Sequence, residues 1–120
     1  MEVRGVDFAV MPTRDFETAV AFYGNTLGLR RSVYVPDRKY AEFETGNLTL
    51  MVIDPPGMDL EERKSRNAIA LRVDDVQESR ALLEASGVTF MGDFMDSGVC
   101  YQAVFSDPDG NTLILHHRYA

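Results

Sequence analysis

Hydrophobic and polar positions along this chain fall into one order, strand, helix and further strands, and then into the same order again. Val6 to Met11 is apolar-rich and stops at Pro12, which predicts a first strand. Phe16, Val20, Phe22, Tyr23 and Leu27 give an apolar stripe at helical spacing. Asp15 stands where an N-cap belongs and Gly28 where the helix stops. Strands are predicted near Leu29 to Val35, Tyr40 to Glu44 and Leu48 to Ile53, parted by Pro36-Asp37-Arg38-Lys39 and by Gly46-Asn47. Ala68 to Val73 then reads as a strand, and Val76 to Ser86 as a helix capped by Asp75 and ended by Gly87. Val88 to Met91 is predicted as a short strand and Gly92 to Gly98 as a polar loop. Val99 to Phe105 pairs with Thr112 to His117 across Asp107-Pro108-Asp109-Gly110-Asn111, a dense turn signal.

The two halves align. Thr13 to Phe22 falls on Val73 to Leu82, with Asp15 on Asp75, Phe16 on Val76 and Ala21 on Ala81. Gly28 falls near Gly87, and Gly46-Asn47 near Gly110-Asn111. A repeat of this length is a supersecondary unit that cannot bury its apolar face alone. The reading is a single domain over 1–120. Module one spans about 5–53, a charge-rich linker 54–66, and module two about 67–117.

Composition narrows the function classes. A chain of 120 residues, 45% hydrophobic and 26% charged, fits one ordinary soluble globular domain. A net charge of −7 repels phosphate backbones, so nucleic acid is not an expected partner. The single cysteine, Cys100, allows no intrachain disulfide and suits a reducing cytoplasm. No apolar run is long enough to span a bilayer, and Met1 to Gly5 lacks a signal-peptide core, so no membrane is expected.

The chain resembles the vicinal oxygen chelate superfamily, which includes glyoxalase I, extradiol dioxygenases and bleomycin-resistance proteins. The resemblance is carried by Ala21-Phe22-Tyr23, Leu27-Gly28-Leu29, Ile69 to Val76 and Asp107 to Asn111, in this order and spacing. It implies an α+β fold of paired βαβββ modules, whose strands form a curved mixed sheet, a cup, with helices on the outer face. Enzymes of the superfamily typically hold a divalent metal through His or Glu on the first and last strands of each module. In this chain those positions fall on Phe8, Ala68, Ile114 and one of Thr49, Leu50 or Met51. Phe, Ala and Ile offer a metal no lone pair. The reading is therefore that the usual metal site is absent and that no cofactor is held.

Alternation along strands then suggests what lines the cup. Phe8 carries Val10 with it, Ala68 carries Ala70 and Arg72, and Ile114 carries Thr112 and His116. The hairpin sets Val104 opposite Ile114 and Gln102 opposite His116, with Cys100 beyond. The candidate ligand-binding set is Phe8, Val10, Ala68, Arg72, Gln102, Ile114 and His116. His116 is the one candidate for catalysis because it titrates near neutrality, with a structural histidine as the other reading. Arg72 suits a carboxylate or phenolate of a ligand, or equally a nearby acidic side chain. Cys100 reads as a small buried hydrophobe, His117 as structural, and Tyr101 and Phe105 as core. Tyr34, Tyr40 and Met51 suit ligand stacking or packing. Glu42 and Glu44 share a face and are read as solvated residues of an outer strand. Residues 93–97 read as a lid or an ordinary surface loop.

The leading functional expectation is a metal-free binder of a small, partly apolar molecule, acting as a homodimer. The rivals are a lyase, isomerase or dioxygenase-like enzyme using His116 or unorthodox metal ligands, and a domain that works only with another protein.

Overall fold

In each half of the chain one aspartate caps the helix that follows the first strand. In the computed structural model, which describes residues 1–54 and 67–120, Asp15 accepts the Thr18 amide at 3.3 Å and Asp75 that of Glu78 at 2.9 Å. Both are extended in backbone, and their carboxylates satisfy amides that the first helical turn leaves open. The chain divides into two compact units, Met1–Ser65 and Arg66–Ala120. The expected linker lies outside the described residues, apart from Asp54.

The first unit runs β1 (Phe8–Pro12), α1 (Phe16–Ala21), β2 (Arg30–Val35), β3 (Tyr40–Glu44) and β4 (Thr49–Ile53). Its sheet has the order β1-β4-β3-β2, with β1 parallel to β4 and the other pairs antiparallel. Alternation sorts each strand onto two faces. Ala41, Phe43, Leu50 and Val52 are fully buried, together with Phe16, Ala19 and Val20 of α1. The stripe expected to run as one helix to Leu27 instead becomes a π-helical turn over Phe22–Thr26. That turn sets Tyr23 against Phe43, with ring centroids 5.9 Å apart. A Cβ at Gly24 would stand 3.3 Å from the Phe43 ring, so glycine permits the approach.

The second unit repeats the order: β5 (Ile69–Arg72), α2 (Val76–Ala85), β6 (Phe90–Asp96), β7 (Cys100–Ser106) and β8 (Thr112–Arg118). Its sheet has the order β5-β8-β7-β6, again with the first and last strands parallel. Ala103, Phe105, Leu113 and Leu115 are buried on the face that α2 covers with Val76 and Leu83. Gly87 takes φ 93°, and the Val88 amide returns to the Leu83 carbonyl at 3.0 Å, closing the helix end. The β7–β8 turn is built by Asp107, buried, which accepts the amides of Asp109 and Asn111 and the Asn111 side chain.

The α+β class and the paired βαβββ order are as the sequence implies. Three local expectations are corrected. Residues 93–96 belong to strand β6 and are neither loop nor lid, because a bulge between Met91 and Met95 absorbs Gly92 and Asp93 within the strand. β3 is an inner strand of its sheet, so Glu42 and Glu44 are half-buried rather than solvated on an outer strand. Tyr101 is half-buried in a ring cluster with Phe94 and Tyr119, outside the fully buried core.

Candidate functional site

Each unit has one sheet face covered by its helix and one open face, and the open faces hold the candidate residues. On the first unit, register places Phe8, Thr49, Glu44 and Arg30 in one row across the four strands. Val10, Met51, Glu42 and Val33 form the next row. Phe8 is 49% exposed and Val10 41%, so both are available to a ligand. Tyr34 points to the opposite face, where it stacks on Phe16 and donates to Glu17 at 2.9 Å. It therefore belongs to the helix packing, while Tyr40 and Met51 stay on the open face with Glu42.

The two glutamates are polar groups of this face that the sequence reading set aside. The Tyr40 hydroxyl donates to Glu42. That bond, partial burial and the glutamate charge push the Tyr40 phenol up to about 12. Glu44 accepts from the Ser32 hydroxyl and from Thr49 Oγ1, the latter at 2.6 Å. These bonds, aided by Arg30, hold its carboxyl below the usual range. Beside them a shallow groove of about 250 Å³ is lined by Asp7, Arg30, Glu44, Gly46, Asn47, Leu48 and Thr49.

On the second unit, register draws two rows. Arg72, His116, Gln102 and Met95 lie side by side across β5, β8, β7 and β6. Ala70, Ile114, Val104 and Met91 form the row beneath. The pairings of Val104 with Ile114 and of Gln102 with His116 are those read from the hairpin. Ala68 is exposed just ahead of β5. His117 turns to the helix-side face, and its Nδ1 donates to the Val73 carbonyl at 3.0 Å, a structural role. His116 and Gln102 are half-buried, Arg72 is exposed, and among the described residues none of the three has a side-chain hydrogen bond or ion pair.

The positions that the resemblance assigns to metal ligands can be compared with the strands. Leu50 is fully buried beneath α1, which leaves Thr49 or Met51 as the fourth position. The Thr49 hydroxyl is engaged by Glu44, and Met51 offers only a soft thioether. With Phe8, Ala68 and Ile114 at the other three, the donor set does not fit a divalent metal. Among the described residues, no three His, Cys, Asp or Glu side chains come together where they could hold one. None of the described helices is long and apolar enough to cross a membrane.

A family model for the glyoxalase/bleomycin resistance protein/dioxygenase superfamily matches residues 5–115. The chain belongs to that superfamily. Among solved structures it is similar to TnmS3, an antibiotic-binding protein from Streptomyces sp. CB03234, at 28% identity and TM-score 0.80, covering 99% of both chains. It is also similar to a superfamily member from Sphaerobacter thermophilus, at 27% identity and TM-score 0.77, covering 95% of this chain and 97% of that one. A lactoylglutathione lyase from Agrobacterium tumefaciens, at 20% identity and TM-score 0.76, shares the fold over 96% of this chain and 94% of its own. No curated protein sequence matches. Superfamily membership brings both binding and catalysis into view, so the choice rests on the residues of this chain.

Proposed function

We propose that this protein binds a small, partly apolar molecule against the open faces of its sheets, without a resident metal and without covalent chemistry. One observation carries the reading. The positions at which the superfamily's enzymes hold their metal carry Phe8, Ala68 and Ile114, whose side chains have no donor atoms. The same side chains make apolar walls, set among a few polar groups, as small-molecule sites require. The similarity to an antibiotic-binding protein over nearly the whole chain supports binding as the activity. A catalytic histidine is normally oriented by a second group, and among the described residues the His116 ring has no such partner. Arg72, Gln102 and His116 would fix the polar end of the ligand. The working form in this reading is a homodimer in a reducing cytoplasm.

The test uses protein dialysed against EDTA and 2-naphthamide as a neutral aromatic probe. Elemental analysis should find no stoichiometric Zn, Ni, Fe or Mn before dialysis, and probe affinity should be the same before and after it. Ala68→Phe should weaken the probe at least about tenfold while leaving the fold intact, since Ala68 is exposed rather than part of a packed core. Near one metal per chain, with probe binding lost on chelation, refutes the reading.

A further inference from the structure

The open face of the second unit has an unusual charge make-up for a chain of net charge −7. Its register positions are Ala70 and Arg72 on β5, and Thr112, Ile114, His116 and Arg118 on β8. Cys100, Gln102, Val104 and Ser106 follow on β7, then Met91 and Met95 on β6. No carboxylate stands at these paired positions, while two arginines do; the nearest, Asp93, lies in the bulge between Met91 and Met95 at the far border of the sheet. The Arg118 Nε is held by the Ala120 carbonyl at 2.8 Å. Among the described residues the Arg72 guanidinium has no partner, nor have its row neighbours His116 and Gln102. On the first unit the opposite holds: the open-face carboxylates of Glu42 and Glu44 already accept hydroxyl hydrogen bonds.

Adjacent strands stand about 4.8 Å apart, so Arg72, His116 and Gln102 form a polar line about 10 Å long. Directly beneath runs the apolar line of Ala70, Ile114, Val104 and Met91. A flat hydrocarbon body laid on the lower line brings a terminal group against the upper one. The guanidinium supplies donors in a planar fork that matches the two oxygens of a carboxylate. The Gln102 amide and one imidazole N–H add donors on the same side.

Resting on the binding reading above, we propose that the ligand is an amphipathic carboxylate. Its planar apolar body lies on Ala70, Ile114, Val104 and Met91, and its carboxylate is held by Arg72 with His116 and Gln102. The unpaired guanidinium, three strands away from the Asp93 carboxylate, selects this charge over a cation or a neutral polar group.

Three probes of one shape test this by calorimetry at neutral pH: naphthalene-2-carboxylate, 2-naphthamide and 2-(aminomethyl)naphthalene. The carboxylate should bind about tenfold tighter than the amide, and the ammonium weakest. Arg72→Gln should bring the carboxylate down to the affinity of the amide. Arg4→Gln, the same change in net charge at an exposed site in the first unit, should keep the preference. Met95→Asp, which sets a carboxylate at the end of the polar line, should turn the preference toward the ammonium. Equal binding of amide and carboxylate, or a preference unchanged in Arg72→Gln, overturns the proposal and leaves the binding reading standing. No binding of any probe at millimolar concentration refutes both.

Discussion

A single hydroxyl decides how Tyr40 titrates. Its bond to Glu42 favours the neutral phenol, so its pKa rises from 10.0 to about 12. Tyr119, bonded to Asp96 at 2.6 Å, rises to about 12 as well. A raised phenol pKa means stabilisation that is complete below the ordinary value and is lost as pH climbs through the folded one. Phenolate absorbance should therefore show two tyrosines ionising near pH 12, and Tyr40→Phe should remove one of them. Glu42→Gln should return Tyr40 toward 10.0. The helix caps give a second expectation. Asp75→Ala should cost about 1 kcal/mol in a denaturant melt. Asp15→Ala should cost less, because its bond is longer, at 3.3 Å against 2.9 Å. Both caps were legible from the sequence, since an aspartate before an apolar stripe is a local signal. The role of Glu42 was not: alternation put it on a face with Glu44, but β3 is inner because β2 and β4 both pair with it, and the sequence reading had taken it for an outer strand.

Among the elements, β6 is where reading and structure part most. Gly92, Asp93 and Gly98 are turn formers, and by composition they break a strand. The structure keeps the strand by letting the chain bulge, with Gly92 at φ 73° and its carbonyl taking the Arg80 guanidinium of α2 at 3.1 Å. That contact spans 12 residues, so no local pattern could announce it. Hydrogen exchange should show protection at β6 amides paired with β7, on both sides of the bulge. A valine at Gly92, forced to positive φ, should lower stability by roughly 1–3 kcal/mol. The β7–β8 hairpin was read down to its register because Asp107 to Asn111 specifies the turn, and a turn fixes which residues stand opposite. The first helix was read too long, since its π turn serves the fit of Tyr23 and Gly24 to Phe43 on a distant strand.

Over the whole molecule, the repeat organised the sequence reading, and it was the correct guide to element order. The superfamily resemblance, and not the repeat, suggested Phe8, Ala68 and Ile114 as the metal-ligand positions, and the proposal of a metal-free site rests on that placement. Assembly is argued at the same scale. Apolar side chains stay exposed on both units, Val3, Val6 and Phe8 on one and Met91, Met95 and Val99 on the other. Isologous pairing of two chains is the commonest way to cover such surface. Light scattering at micromolar concentration should give roughly 27 kDa, two chains of 13.5 kDa each; a monomer mass would count against the dimer.

The bulge in β6 also bears on how the chain avoids self-association. β6 is a border strand of its sheet, seven residues long, with Phe90, Met91, Phe94 and Met95 along it. A straight border strand of that composition is a template on which further chains can stack as fibrils. The kink at Gly92 interrupts its free amides and carbonyls midway, and Asp93 and Asp96 add charge where the hydrophobic residues would otherwise run on. The residues that hide this strand from a sequence reader are thus the same ones that keep it from recruiting its own kind.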